Sequence, residues 1–307
     1  MNSNKTNFAR GMKVLAVFVL LAATLCGLVA CGQADEKPAA SANATEGNGT
    51  IAGESVNVGS EQPTAEATAA ATEPPATEAP TRASLPAHVD PARKMVALTF
   101  DDGPSKTVTN AILDKLEEHG GRATFFCLGD RVNEYESTLR RMVALNCQVA
   151  SHSNAHKHLV KLGGEALQKD LKQALDSIEK YSGVRPTVMR TPYGEHTDAL
   201  INQIDMPVIL WSIDTRDWCY HVTKNDKRTA AEIERDCQTI IHTALDNVQD
   251  GDIILMHDLY STTQRSAVEI IDRLAEDGWQ MVTIDELFAA KGIALEPRKF
   301  YRSAKGK

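Results

Sequence analysis

Residues 95–105 read "MVALTFDDGPS". The run "MVALTF" is short, aliphatic and stopped by a Gly-Pro turn, which predicts a buried β-strand. Two adjacent carboxylates, Asp101 and Asp102, follow it directly. Successive side chains on a strand point to opposite faces, so the two acids need two different partners. A metal ion beside a proton to be moved would supply both. An Asx turn capping the next helix, with both acids solvated, would account for them equally well. The rest of the chain has to separate the two readings.

Downstream, strand-like runs alternate with amphipathic helical stretches. "TVTNAILDKLEEHG" places Val108, Ile112 and Leu116 at helical spacing and stops at Gly120. "ATFFCLG", "STLRRMVALN" and "QVASHS" come next, followed by the plain helix "GEALQKDLKQALDSIEKYSG". "VMRTPYG" and "PVILWSID" are strand-like, and "TAAEIERDCQTIIHTALDNV" is helical. "DIILMHD", "SAVEIIDRLAEDG" and "QMVTIDELFAAKG" complete the series. Such alternation implies parallel strands, as an open sheet or a (β/α) barrel.

Asp101 and Asp102, His152, Arg190, Asp214 and Asp217, and His257 all follow the ends of strand-like runs. In a barrel those ends gather on one face, where active sites are built. Five strand ends carrying acid, imidazole or guanidinium favour chemistry over a solvated turn. "HSNAH" lets His152 and His156 converge on one metal from a helical turn or tight loop. His158 follows closely, so the pair is not unique, and a solvated histidine cluster is the plain alternative. With a strand-end Asp, the two His make a three-ligand site with room for water, as catalytic zinc requires.

Taken in order, "TFDDGP", "HSNAH", "RTPY", "DTRDW" and "LMH" resemble the five motifs of the polysaccharide deacetylase family, the NodB-homology carbohydrate esterases. The resemblance runs from about Arg93 to Gly292. It implies a distorted (β/α) barrel and a divalent metal, usually Zn2+, with Co2+, Mn2+ or Ni2+ as alternatives. Carried over residue by residue, it makes Asp102, His152 and His156 the metal ligands. Asp101 becomes the general base that takes a proton from the attacking water, and Arg190 holds and orients it. The backbone N–H of Tyr193 would help to stabilise the tetrahedral oxyanion. His257 would protonate the leaving amine, with Asp217 raising its pKa. Tyr193, Trp218 and Leu255 would contact substrate, the last two walling the acetyl methyl, although apolar residues beside strands also serve as core.

Thr191 stands where the family often has Pro. The segment "YHVTKNDKRTAAEIERD" between Cys219 and Cys237 is longer than is usual there, which leaves the groove rim and the substrate preference open. Asp214 opens the fourth motif without an assigned chemical role.

The chain has 307 residues, and its N-terminal part reads as unfolded. Residues 1–30 carry Lys5, Arg10 and Lys13, no acid, and the apolar run "VLAVFVLLAATLCGLVA", the pattern of a secretory signal. The junction "LVAC" resembles a bacterial lipobox, which would make Cys31 the lipidated residue. An uncleaved membrane anchor is the alternative. Residues 31–88 are mostly Ala, Thr, Glu, Pro, Ser and Gly, with no aromatic residue. This composition cannot offset the entropy of ordering and predicts a disordered tether with ends roughly 40 Å apart. Residues 89–307 are left as the catalytic domain, on the extracellular face of the membrane.

Without the three basic residues of the signal the formal charge of −8 becomes −11, and no basic cluster suggests nucleic acid. Six Cys are present, with Cys26 and Cys31 in the signal. Cys127 suits a small buried thiol, and Cys219 and Cys237 could pair in an oxidising compartment. Together with the family resemblance, these features lead to the expectation of a lipid-anchored, monomeric, metal-dependent enzyme. Its expected reaction removes N-acetyl groups from N-acetylglucosamine residues of a cell-wall polysaccharide, peptidoglycan first. Chitin oligomers, poly-N-acetylglucosamine or O-acetylated xylan are alternative substrates, and a non-catalytic wall-binding barrel is the alternative class. No ligand or base is missing from the motifs, which argues against the last. Cys31→Ala tests the anchor: the expected outcome is release or misprocessing of the protein. Unchanged membrane partition and an unchanged N-terminus would mean an uncleaved anchor instead.

Overall fold

The computed structural model describes residues 85–305. The signal, Cys31 and nearly all of the expected tether lie outside the described residues. Strand β1 (Met95–Asp101) is buried along its whole length. Its side chains alternate as a pleated strand requires. Val96, Leu98 and Phe100 enter the core shared with the helices, whereas Met95 and Ala97 enter a second core inside the ring of strands. By the same period Thr99 and Asp101 also face inward. The two adjacent acids therefore diverge: Asp101 ends the inward row, and Asp102 leaves the strand in a left-handed conformation (φ 70°).

In chain order, α1 (Val108–His119), β2 (Thr124–Cys127), α2 (Glu136–Ala144), β3 (Gln148–Ser151) and α3 (Gly164–Ser182) follow β1. After them come a short helix α4 (Asp198–Ile201), β4 (Val208–Ile209), β5 (Ile213–Asp214) and α5 (Ala230–Leu245). The chain ends with β6 (Ile253–His257), α6 (Ser261–Glu276), β7 (Gln280–Met281), α7 (Ile284–Ala290) and β8 (Phe300–Tyr301). The helices form for local reasons. In α3, Leu167, Leu171, Ala174 and Ile178 make one buried stripe at helical spacing. The N-termini of α5 and α7 carry capping boxes, Thr229 with Glu232 and Thr283 with Glu286.

The strands lie in the order β3-β2-β1-β6-β5, and each neighbouring pair is parallel. β7 pairs with the first two residues of β1. Single-residue bridges at Met189 connect Ser151 to Val208, so β3 is joined to β4. Because β4 and β5 are one stretch of chain, the ring closes back onto β6. This is the distorted barrel expected, with two differences from the sequence pattern. "VMRTPYG" supplies only the bridge at Met189, and "PVILWSID" is interrupted after Ile209. The reason is the buried guanidinium of Arg190, which donates from Nε to the Ile209 carbonyl (2.9 Å) and from Nη2 to the Leu210 carbonyl (3.0 Å). Those carbonyls meet a side chain in place of a strand ladder. The C-terminal residues, absent from the sequence reading as an element, add β8 alongside β4.

Arg190 is fully buried and also donates to Thr99 Oγ1 (2.9 Å) and Asp101 Oδ1 (2.7 Å). Breaking a buried pair leaves an uncompensated charge. Arg190→Met is therefore expected to lower stability by about 3–5 kcal/mol in urea unfolding. Adding Asp101→Asn should recover part of that loss. A loss no larger than that of an exposed ion pair would contradict the role assigned to Arg190.

Candidate active site

The strand register brings the predicted residues together. Asp101 lies opposite His257 across the β1–β6 ladder. Cys127 pairs with Ser151 at the end of the β2–β3 ladder, which places His152 one residue beyond it. The Ser151 bridge to Met189 then sets Arg190 beside His152. The His152 Nδ1–H donates to the Arg190 carbonyl at 2.9 Å, which leaves Nε2 as the lone-pair nitrogen.

Asp102, His152 and His156 each offer one ligand atom, and these atoms lie within 4.8 Å of one another. His152 Nε2 is 3.4 Å and His156 Nε2 is 3.3 Å from Asp102 Oδ1. His156 comes from a tight loop, held in a left-handed conformation (φ 51°) with its N–H donating to Ser153 Oγ at 3.1 Å. Asp102 Oδ1 is buried, and no hydrogen bond of good geometry reaches it. Burial by itself would raise the Asp102 pKa; contact with His152 and the nearby His257 and His156 hold it well below the usual carboxylate range. For His152, burial opposes the charged form, but Asp101 and Asp102 outweigh it and raise its pKa. For His156, burial prevails and lowers it. An oxygen and two imidazole nitrogens converging without a shared proton fit a divalent cation.

Asp101 uses Oδ1 for Arg190, and its Oδ2 stands 3.8 Å from His152 Nε2. On the other side, His257 Nδ1 meets Asp217 Oδ1 at 2.8 Å. Asp217 is fully buried, and its Oδ2 accepts from the His257 backbone N–H (2.7 Å) and from Thr263 Oγ1 (2.5 Å). Burial would lower the His257 pKa, but the Asp217 carboxylate overrides it and pushes it up to about 10. The Asp217 carboxylate thus favours the imidazolium form of His257.

The remaining predicted residues are placed differently. Tyr193 is half exposed and left-handed (φ 60°). Trp218 is 39% exposed on the turn after β5, so a plain core role is ruled out for it. Leu255 is buried, two residues before His257 on the same face of β6. Asp214 stays outside the cluster and accepts the Arg216 N–H at 2.9 Å, and burial raises its pKa. No disulfide joins Cys219 to Cys237, the pairing that the sequence left open. Cys237 lies on the buried face of α5, its Sγ directed at the Thr262 carbonyl (3.8 Å). Cys127 is buried as expected.

Three residues escaped the sequence reading. Thr99 and Thr263 give no sequence signal beyond a hydroxyl near a strand end or helix start. Asp258 adjoins His257 and is fully buried, accepting from Thr109 Oγ1 at 2.5 Å, and burial pushes its carboxyl up to about 7. It packs against Gly103, where an added Cβ would lie 2.1 Å from Asp258 Oδ1, so the turn after Asp102 needs glycine.

With this geometry in view, a family model described as polysaccharide deacetylase matches residues 88–206. The chain is 41% identical over 203 residues to the peptidoglycan-N-acetylmuramic acid deacetylase PdaC of Bacillus subtilis, covering 66% of this chain and 40% of that protein. The solved PdaC structure superposes with a TM-score of 0.59, covering 66% of this chain and 94% of that structure. The peptidoglycan-N-acetylglucosamine deacetylase PgdA of Listeria monocytogenes is 36% identical, with 64% of this chain and 40% of that protein covered. A family 4 acetyl xylan esterase from Clostridium thermocellum, solved with a cobalt ion, is 30% identical with a TM-score of 0.61, covering 68% and 98%. The chain belongs to the polysaccharide deacetylase family. It spans 40% of the length of each of the two curated relatives.

The His257–Asp217 pair sets a pH signature. The His257 pKa is raised from the ordinary 6.5, so its stabilising effect is complete below 6.5 and is lost as pH rises through about 10. Nuclear magnetic resonance titration of the metal-free protein should show His257 keeping its proton until pH approaches 10. In Asp217→Asn burial acts without the carboxylate, and the proton should leave at least about two pH units lower. An unchanged titration would remove Asp217 as the cause.

Proposed function

We propose that this chain is a metal-dependent N-deacetylase of cell-wall polysaccharide, with N-acetylglucosamine residues of peptidoglycan as its substrate. The observation that carries the reading is the two-sided site. An Arg-paired carboxylate and a three-ligand cluster stand on one side, and an imidazolium paired with a buried carboxylate stands on the other. The 41% identity to PdaC favours a second substrate, N-acetylmuramic acid of the same polymer. The expected signal, lipidated Cys31 and long tether support a site on the extracellular face of the membrane, within reach of the wall.

Asp102, His152 and His156 would hold the cation, which would supply Lewis acidity toward the acetamide carbonyl and the attacking water. Zinc suits two imidazoles and a carboxylate. Asp101 takes the water proton on Oδ2, the oxygen that Arg190 leaves uncommitted, while the Arg190 contact fixes the orientation of the carboxylate. The Tyr193 N–H donates to the oxyanion that develops as water adds to the carbonyl carbon. His257 then delivers its Nε2 proton to the amine nitrogen as the C–N bond breaks, releasing acetate and a free amino sugar. Asp217 holds the ring by Nδ1 and keeps it charged for this step.

The test compares an N-acetylated oligosaccharide with an activated acetate ester. Chelation should abolish turnover of both. Asp101→Asn should lower kcat by about 100- to 10,000-fold with metal still bound. His257→Ala should cost a similar factor on the amide and far less on the ester, whose leaving group needs no proton. Full activity of metal-stripped protein, or equal losses on both substrates for His257→Ala, would overturn this division of labour.

A further inference from the structure

The structure assigns a role to His158 and Glu195: together they clasp Tyr193 and hold its backbone N–H where the oxyanion forms. They are positioning residues for the reaction proposed above, and the inference rests on that reading. The imidazole of His158 lies flat on the Tyr193 ring, with centroids 4.0 Å apart and an interplanar angle of 16°. Its Nδ1–H donates to Glu195 Oε1 at 2.8 Å, and Glu195 Oε2 accepts the Val160 N–H at 3.0 Å. From the other side His156 meets the Tyr193 ring edge-on at 4.6 Å, and the Tyr193 hydroxyl donates to the His156 carbonyl at 3.3 Å. Glu195 is itself tied to the turn, its carbonyl accepting from Thr191 Oγ1 at 2.5 Å.

Tyr193 needs such a hold. Tyr193 and Gly194 are both left-handed (φ 60° and 65°), a conformation that a bulky residue keeps only where its surroundings over-determine it. Gly194 has no freedom to carry a side chain, since a Cβ there would lie 2.8 Å from the Trp211 ring. The backbone N–H of Tyr193 thus depends on the ring being pinned. The ring is pinned between one proposed metal ligand, His156, and a histidine outside the ligand set, His158. The clasp therefore joins the loop that carries His152 and His156 to the loop that carries Arg190 and Tyr193.

The test uses the full chain, an N-acetylated chitin oligomer and a phosphonamidate analogue of the tetrahedral intermediate. His158→Ala should lower kcat about 10- to 100-fold, because a small displacement of an oxyanion donor is felt at that scale. KM, bound metal and melting temperature should stay at wild-type values, and affinity for the analogue should fall by the same factor as kcat. The Tyr193 amide resonance should shift in the metal-free variant. Glu195→Ala should behave alike and carries the same test if His158→Ala does not fold. Glu195→Gln keeps an acceptor for the Val160 N–H, and its amide N–H donates to His158 Nδ1 once the imidazole proton moves to Nε2, so kcat should return to within about threefold of wild type. A raised KM with unchanged kcat would make the stack a sugar platform and overturn the clasp. Loss of metal or of melting temperature along with kcat would overturn it too, as would an unaltered kcat. A wild-type chain that leaves the N-acetyl groups in place would overturn the underlying reading, whereas an active wild type with a fully active His158→Ala overturns the clasp alone.

Discussion

A single guanidinium inside the barrel is what the rest of this structure depends on. Arg190 is fully buried and places its donors on Thr99 and Asp101 of β1 and on the carbonyls of Ile209 and Leu210. Its flat face lies 4.2 Å from the Phe126 ring. A charge removed from water persists only if its hydrogen-bonding capacity is met, and here the chain is bent to meet it. The cost is a strand broken between β4 and β5. The gain is a carboxylate, Asp101, held at one orientation beside the candidate metal-ligand cluster. The Arg190 carbonyl also receives His152 Nδ1–H, so one residue orients both the proposed base and one proposed ligand.

Parallel register does the remaining placement. Each strand of the ring ends at the same rim, and residues one step past those ends face each other by default. Asp101 and His257 are paired across adjacent strands, yet their surroundings separate their roles. The Asp101 side is ordered by an arginine and the His257 side by a buried carboxylate. Asp217 needs two further donors, the His257 backbone N–H and Thr263, to remain a stable acceptor in that position. Below this polar layer the barrel interior is apolar, with Met95, Ala97, Ile209 and Ile253 closing it from beneath. Water then reaches the site from the rim, where Tyr193 and Trp218 are exposed.

Much of this was legible in the sequence, for a local reason. Strand and helix periods are properties of neighbouring residues, so "MVALTF", "DIILMHD" and the stripe of α3 could be read directly. Residues following strand ends share a face in any parallel barrel, so Asp101, Asp102, His152, Arg190, Asp217 and His257 could be grouped before any contact was known. The divergence of Asp101 from Asp102 also follows from the pleat alone.

What only the tertiary structure decided are contacts between groups distant in the chain. Arg190 and Asp101 are 89 residues apart, and no local pattern shows that the same guanidinium would also take two carbonyls and interrupt "PVILWSID". Cys219 and Cys237 look like a pair in sequence, but the packing of α5 against α6 turns the Cys237 thiol toward Thr262. His158 reads as a spare histidine until the fold lays it on Tyr193, and Asp258, which the sequence does not single out, is buried by the fold against Gly103. Periodicity determined which residues reach the rim, because it is set by backbone geometry. Which of them touch, and in what ionisation state, was decided by burial and by partners that only the closed ring supplies.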